Sequence, residues 1–274
     1  MSLDVLDAVV LGVVEGLTEF LPVSSTGHLT IAEGLLGLDV DDPSVTAFTA
    51  VIQSGAIAAV LIFFGKDILR FARGFLGGLR SSAGRQTEDW RLSLAVLVGS
   101  LPIGIVGLVF RDVVKGPVLR SLVTVGVALI VWSAVLVYAE RRATQRRPEA
   151  EVTVRDGLFI GLAQCVALVP GVSRSGATIS AGLLLGLDRV ASTRLAFFLG
   201  IPALVAAGAL ELPSALDGSV GLGPVVVGTV VSFLVAYASI AWLLRFVQTH
   251  SIVAFVPYRV ALGVVVLGVL AMTA

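Results

Sequence analysis

Long apolar runs, separated by short polar segments, extend along most of the sequence. A helix needs about 20 residues to cross a hydrocarbon core of about 30 Å. Six unbroken apolar runs reach that length, at residues 46–64, 91–110, 118–139, 192–210, 221–244 and 252–273. Helices are expected there, because a hydrocarbon core offers no partners for unpaired backbone groups. The pattern predicts an all-α polytopic membrane protein in which residues 1–274 form a single membrane domain.

Two further apolar stretches, at residues 4–38 and 155–187, are interrupted by polar, turn-forming residues. The interruptions read Leu-Pro-Val-Ser-Ser-Thr-Gly-His at residues 21–28 and Pro-Gly-Val-Ser-Arg-Ser-Gly at residues 170–176. Proline, glycine and serine in such strings break a helix. We therefore predict that each stretch is a re-entrant helical hairpin, which is tolerated at membrane depth only where it lines an enclosed cavity.

The two interrupted stretches resemble one another in sequence. At a constant offset of 149, residues 7–39 and 156–188 share eleven identities in 33 positions, and these include loop residues as well as leucines. Such self-similarity indicates an internal repeat. We predict repeat 1 over residues 1–139, a cytoplasmic linker over 140–154 and repeat 2 over 155–274. Each repeat would hold one re-entrant hairpin and three transmembrane helices, and this odd number of crossings gives the two repeats inverted topology.

Charged residues are scarce and unevenly distributed. Only 14% of the residues are charged against 57% apolar, and 19 Lys and Arg balance 19 Asp and Glu. This balance excludes a globally basic nucleic-acid binder. Most cations lie in the segments 65–90, 140–155, 188–194 and 245–251, and the positive-inside rule makes their side cytoplasmic. We interpret these segments as loops whose charges determine topology, and we expect both termini on the extracytoplasmic side.

Two carboxylates, Glu15 and Glu19, lie four residues apart in the first interrupted stretch and therefore share one helix face. Close carboxylates within a membrane are unfavourable unless a cation lies between them. Mg²⁺ or Ca²⁺, which prefer oxygen ligands, would relieve that cost. We therefore predict that both glutamates are metal ligands. The alternative is a pair of carboxylates that bond to neighbouring helices and serve packing alone.

The polar strings themselves carry the remaining candidates. His28 follows Ser24, Ser25 and Thr26, and it could act as a general acid or base or as a structural hydrogen-bonding residue. Arg174 is the cation of the second string. Glycine and hydroxyl residues that suit an oxyanion surround it, namely Gly171, Ser173, Ser175 and Thr178. The alternative is a salt bridge from Arg174 to one of the glutamates without a ligand.

An acid pair, a histidine and an arginine brought together near the membrane midplane would form a site for a phosphate ester or anhydride. The substrate of a site buried in a lipid-facing fold should be amphiphilic. Outside the strings, Gln53 either contacts this site or bonds between helices. We interpret Arg259 as an interfacial or packing residue and Cys165 as a small buried hydrophobic residue.

The two strings resemble the signature motifs of the bacitracin-resistance type undecaprenyl-diphosphate phosphatases. The E-x-x-x-E motif runs from Glu15 to Glu19, and the P-G-x-S-R-S-x-x-T motif runs from Pro170 to Thr178. The resemblance covers essentially the whole chain. It implies a metal-dependent enzyme of the bacterial plasma membrane that hydrolyses undecaprenyl diphosphate, a polyisoprenyl diphosphate lipid, to undecaprenyl phosphate and inorganic phosphate. This reaction recycles the cell-wall carrier lipid and gives bacitracin resistance.

The resemblance also implies roles for individual residues. Glu15 and Glu19 would bind Mg²⁺ or Ca²⁺ together with the diphosphate, and Ser25 and His28 match the family's essential serine and histidine. The family's phosphate-binding residues match, in this sequence, Ser173, Arg174 and Thr178. The site is expected to open to the extracytoplasmic side. Two questions stay open: whether Ser25 attacks phosphorus or positions a water, and whether the chain forms a homodimer.

A lipid-carrier flippase or transporter is the alternative function, because inverted repeats with broken helices are typical of secondary transporters. The two repeats differ, however, at the chemically important positions. Glu15 aligns with Gln164, and His28 aligns with Ala177. This unequal division of reactive residues favours an enzyme.

Overall fold

The computed structural model describes residues 3–40, 42–114, 116–215 and 221–273. Regular structure in these ranges is helical, apart from a single bridge between Arg147 and Leu187. The α-helices of the first half are α1 (Val5–Thr18), α2 (Ser25–Leu35), α3 (Pro43–Phe63), α4 (Gly65–Arg80), α5 (Glu88–Val109), α6 (Arg111–Val114), α7 (Pro117–Arg120) and α8 (Leu122–Arg142). Those of the second half are α9 (Val154–Gln164), α10 (Arg174–Leu184), α11 (Arg189–Ala215), α12 (Leu222–Thr249) and α13 (Val256–Thr273).

Six helical segments in the described ranges are long and apolar enough to cross a membrane, and they confirm the six predicted runs. They are α3, α5, α8, the segment Arg189–Ala209 of α11, α12, and Ile252–Thr273, which contains α13. Only 17–56% of each span is buried inside the protein. Large apolar side chains such as Leu101, Leu108 and Leu234 point outward, where lipid can cover them. The chain is therefore a multi-pass membrane protein.

The two interrupted stretches form the helix pairs α1–α2 and α9–α10. The predicted breaks are too long in one respect, because residues 25–28 and 174–176 are helical and form the first turns of α2 and α10. The reason lies in the two N-cap serines. Ser24 and Ser173 both have φ near 78°, and the Ser173 hydroxyl accepts a hydrogen bond from the Gly176 backbone N–H at 3.2 Å. Ser173 thus caps the start of α10 with its side chain, whereas the Ser24 hydroxyl makes no such bond to α2 among the described residues.

Close packing of small residues joins the two halves of the chain. Helix α1 packs along α12, and α9 packs along α5. A Cβ atom added at Gly161 would lie 1.9 Å from the carbonyl oxygen of Gly99, so the backbones of α9 and α5 are in direct contact. A Cβ at Gly16 would likewise lie 2.6 Å from the Ser232 carbonyl oxygen of α12. Such small-residue contacts are typical of helices packed within membranes.

Helix α4 occupies residues that the sequence analysis treats as a loop, and that part of the prediction is wrong. The helix is amphipathic. Its apolar face packs inward, where Phe71 meets Phe198 of α11 edge-on with ring centroids 4.8 Å apart. Its Asp67 side chain accepts a hydrogen bond from Arg194 at 3.0 Å. The segment is rich in charged residues, but its apolar residues recur at helical period and form a stripe along one face. This pattern is typical of a helix at the membrane–water interface.

Ion pairs attach the connection between α8 and α9 to the helices around it. The Arg147 guanidinium donates to Asp156 at 2.6 Å and to the Leu185 carbonyl oxygen at 2.9 Å. The hydrogen bond to Asp156 raises the pKa of Arg147 above its ordinary value. Glu149 accepts from Arg194 at 2.5 Å and from Arg70 at 3.2 Å. Several cations of the basic segments therefore have a structural role, because their ion pairs hold the connection in place. This role is separate from any effect of their charge on membrane topology.

Candidate active site

The breaks of the two helix pairs lie side by side and are joined by hydrogen bonds. The Gly171 backbone N–H donates to the Ser24 hydroxyl at 3.0 Å, and the Ser175 hydroxyl donates to the Leu21 carbonyl oxygen at 2.9 Å. The Ser173 and Ser175 hydroxyls are 3.0 Å apart. The structure therefore brings together the polar residues of two strings that lie far apart in the sequence.

Gly171 allows this close approach. Its φ is 96°, in the left-handed region that glycine adopts freely. A Cβ atom at this position would lie 2.5 Å from the Val125 carbonyl oxygen of α8. Position 171 therefore contributes to the site through its backbone.

Both oxygens of the Glu19 carboxylate are engaged at this junction. Oε1 accepts from Nη2 of Arg174 at 3.0 Å, and Oε2 accepts from the Ser25 hydroxyl at 2.6 Å. We call these three side chains the Glu19 cluster. The Arg174 side chain is 14% exposed and that of Glu19 is 6% exposed, so the ion pair is largely shielded from solvent. The cluster combines an oriented hydroxyl, a carboxylate and a guanidinium cation, whose N–H groups can bind an oxyanion.

Glu15 differs from Glu19 in its hydrogen bonding. Its side chain is fully buried, and within the described ranges neither carboxylate oxygen has a hydrogen-bond partner. Glu19 and Arg174 are the charged groups that act on it electrostatically. A buried, unpartnered carboxylate is costly. The alternative in which Glu15 bonds to a neighbouring helix has no such bond to support it among the described residues.

The carboxylate pair fits a hard divalent cation. Glu15 and Glu19 offer oxygen atoms only, which are the ligands that Mg²⁺ and Ca²⁺ prefer. In the part of the chain that the structure describes, no group of three or more His, Cys, Asp or Glu residues lies together. A cation held here would complete its ligands with water and substrate oxygens, as Mg²⁺ commonly does at phosphate sites.

His28 lies beside the cluster but is bonded elsewhere. Its Nδ1 is 2.7 Å from the Ser24 carbonyl oxygen, and its Nε2 is 2.6 Å from the Tyr258 hydroxyl. A carbonyl oxygen only accepts, so Nδ1 carries the proton, and Nε2 of the neutral ring accepts from Tyr258. Tyr258 is 51% exposed, so this pair lies at the surface of the protein.

The remaining predicted residues have mixed surroundings. The buried Thr178 hydroxyl donates to the Arg174 carbonyl oxygen at 2.8 Å, and Thr26 is exposed at the start of α2. Gln53 is half-buried on α3. The hydroxyls of Ser173, Ser175 and Thr178 thus bond within the protein, and their roles as direct phosphate ligands stay predictions.

Comparison with known proteins identifies the family of this chain. The family described as "Bacitracin resistance protein BacA" matches residues 8–265. The chain belongs to the BacA family. Undecaprenyl-diphosphatase 3 from Frankia casuarinae is 56% identical over 268 residues, which are 97% of this chain and 96% of that relative. Undecaprenyl-diphosphatase 1 from Streptomyces coelicolor is 54% identical over 264 residues, 96% of this chain and 95% of the relative.

In this member of the BacA family, one residue that joins the two breaks is not among the predicted site residues. The Arg259 side chain is fully buried and donates to the carbonyl oxygens of Pro22 and Gly171, each at 2.9 Å. It also contacts the Ser133 hydroxyl of α8 at 3.2 Å. Arg259 is therefore a buried residue that packs against other helices, but the sequence did not indicate that it lies at the junction of the two breaks. The sequence did contain one indication, an arginine within an apolar span, because such residues almost always face the protein interior.

Tyr258, the neighbour of Arg259 in the same BacA-family chain, was also missed. Its hydroxyl contacts His28 across 230 positions of sequence, and the two rings stack with centroids 5.5 Å apart. Tyrosine near the end of a membrane span is ordinarily an interfacial anchor. Nothing in the local pattern distinguishes this tyrosine from such an anchor.

Proposed function

We propose that this chain hydrolyses undecaprenyl diphosphate to undecaprenyl phosphate and inorganic phosphate, and so recycles the carrier lipid of cell-wall synthesis. The Glu19 cluster is the observation that carries this proposal. A carboxylate, a hydroxyl and a guanidinium from both interrupted stretches meet there within hydrogen-bond distance. Two relatives that cover nearly the whole chain carry the name undecaprenyl-diphosphatase, and bacitracin resistance accords with the family description.

Each side chain of the cluster has a different role in phosphoryl transfer. Arg174 has N–H groups that can bind non-bridging phosphate oxygens and stabilise their charge. The Glu19 carboxylate accepts a hydrogen bond of 2.6 Å from the Ser25 hydroxyl. It therefore orients the serine oxygen, whether that oxygen attacks phosphorus or holds the attacking water. Helices α2 and α10 begin at Ser25 and Arg174, and their first backbone N–H groups favour a bound anion.

Metal dependence is a further part of the proposal. Glu15 and Glu19 would hold Mg²⁺ or Ca²⁺, and the unpartnered oxygens of Glu15 support this assignment. When bound, the cation would neutralise diphosphate charge. His28, with Nε2 directed to Tyr258, would move protons beside the Glu19 cluster.

We also propose that the chain consists of two inverted-topology repeats, each with one re-entrant hairpin and three transmembrane helices. Ser24 and Ser173 align at the repeat offset and share the same unusual φ of 78°. Gly37 and Gly186 also align, with φ of 71° and 84°. The packing is reciprocal, because α1 of repeat 1 contacts α12 of repeat 2 and α9 of repeat 2 contacts α5 of repeat 1. The basic segments would lie in the cytoplasm and both termini outside.

Phosphate release by the purified protein tests the activity. In detergent, the protein should release phosphate from undecaprenyl diphosphate. No release from this lipid would contradict the proposed activity.

A chelator tests the metal separately. Release should stop with excess chelator and return with Mg²⁺ or Ca²⁺. Glu15→Gln should raise the metal concentration needed for half-maximal rate about ten-fold or more, by analogy with losses at metal sites. Release that is unchanged by the chelator would overturn the metal assignment and leave the activity standing.

A further inference from the structure

The guanidinium of Arg174 lies against the backbone of α11 at Gly200. A Cβ atom added at Gly200 would lie 1.4 Å from Nη1 of Arg174, 2.6 Å from its Cζ and 3.2 Å from its Nη2. These are the three nearest atoms to that position, and all belong to Arg174. Gly200 is buried, and the space that a side chain would fill there is occupied by the Arg174 guanidinium.

We propose that Gly200 is a positioning residue that holds the Arg174 guanidinium on Glu19. The inference rests on the proposed function, in which Arg174 binds the phosphate. Non-bonded heavy atoms approach to about 3.5 Å. A methyl group at position 200 must therefore move the Nη1 end of the fork by about 2 Å. A displacement of that size breaks the 3.0 Å hydrogen bond from Nη2 to Glu19, because such bonds weaken beyond about 3.2 Å.

The internal repeat supplies an independent comparison. At the offset of 149, Arg174 aligns with Ser25 and Gly200 aligns with Val51. The repeat with the arginine has the glycine, whereas the repeat with the short serine keeps a branched side chain on α3. Glycine is less favourable than alanine within a helix, so its presence in α11 accords with a need for space.

Enzyme kinetics provide the first test. Gly200→Ala should lower kcat/KM for undecaprenyl diphosphate about ten-fold to hundred-fold, the range for a lost charged hydrogen bond. It should also raise the inhibition constant of inorganic phosphate about ten-fold. Gly208→Ala on the same helix is the matched control, because its Cβ would meet only the Ile57 Cδ1 atom at 3.1 Å. A merely structural defect lowers kcat through inactive molecules and leaves the phosphate inhibition constant unchanged. That result, or full activity of Gly200→Ala, would overturn the proposal.

A stability cycle tests the same contact without any assay of activity. Thermal midpoints in detergent are compared for wild type, Gly200→Ala, Arg174→Ala and the double variant. Gly200→Ala should lower the midpoint in the wild-type background and should not lower it in the Arg174→Ala background, where the space is vacant. Equal shifts in both backgrounds would mean that position 200 contacts something other than Arg174. Because this cycle needs no substrate, it distinguishes failure of the contact from failure of the proposed function.

Discussion

His28 and Tyr258 form the most exposed polar pair of the site. The Tyr258 hydroxyl holds Nε2 of the histidine at 2.6 Å, and the Ser24 carbonyl oxygen holds Nδ1 at 2.7 Å. Two partners on opposite sides of the ring determine both its orientation and its tautomer. A proton that leaves or reaches Nε2 of His28 would therefore pass the tyrosine hydroxyl.

Replacement of Tyr258 by phenylalanine tests this pair. Tyr258→Phe keeps the stacked ring but removes the hydrogen bond to Nε2, which is worth about 0.5–1.5 kcal/mol. We expect kcat to fall about two-fold to ten-fold and the pH profile of kcat to shift. Tyr237→Phe is the control, because Tyr237 of α12 packs edge-on against Phe63 of α3. An unchanged rate and pH profile for Tyr258→Phe would exclude a role for the pair.

The sequence could identify the residues of the strings but few of their partners, and it offered the ion pair between Arg174 and a glutamate only as an alternative to a ligand site. The spacing of Glu15 and Glu19 on one helix face is a local property and is visible in the sequence. The contact between Glu19 and Arg174 spans 155 positions, and the repeat alignment alone suggested that their two stretches meet. Tyr258 and Arg259 reach the site from α13, which has no counterpart of the polar strings, so no local pattern indicated them.

Hydroxyl groups join the two helix pairs to one another. The Ser175 hydroxyl donates to the Leu21 carbonyl oxygen across the junction. Ser180, five positions further along α10, is equally buried, but its hydroxyl has no hydrogen-bond partner in the described ranges. The two serines therefore differ in their hydrogen bonding and not in their burial.

Alanine substitutions at these serines should separate a hydrogen-bonded hydroxyl from one without a partner. Ser175→Ala removes one of the hydrogen bonds that the Leu21 carbonyl oxygen accepts and leaves the one from the Val23 backbone N–H at 2.7 Å. The loss should cost about 1 kcal/mol, a fall of about 2–4 °C in the thermal midpoint. Ser180→Ala should leave the midpoint unchanged or raise it. The measurement is thermal unfolding in detergent. Equal midpoints for the two variants would contradict a structural role for the Ser175 bond.

The helices differ in how well hydrophobicity alone predicts them. The six spans were predicted because about 20 apolar residues have few alternatives to a helix in lipid. Helix α4 was missed because its cations dominate the composition, while its apolar stripe appears only at helical period. The breaks were predicted too long, because polar residues at 25–28 and 174–176 suit the first turn of a helix as well as they suit a loop.

For the molecule as a whole, inverted topology is the feature that sequence predicts and that labelling can test. Ser82 is exposed between α4 and α5, and Leu222 is exposed at the start of α12. These positions follow the first spans of repeat 1 and repeat 2. Single cysteines introduced there, with Cys165 replaced by alanine, should react with a membrane-impermeant reagent from opposite sides. The Ser82 position should react from the cytoplasm. Labelling of both positions from the same side would exclude inverted repeats.

The proposed function makes the Glu19 cluster the catalytic centre of a lipid diphosphatase. Phosphate release from undecaprenyl diphosphate by the purified protein tests it most directly, with Glu19→Gln compared with wild type. Glu33→Gln is the matched control, because Glu33 is a buried carboxylate on α2 whose electrostatic partner is Arg120. Glu19→Gln should lower kcat about hundred-fold or more, and Glu33→Gln should leave it within about three-fold of wild type. Wild-type release by Glu19→Gln would contradict the account.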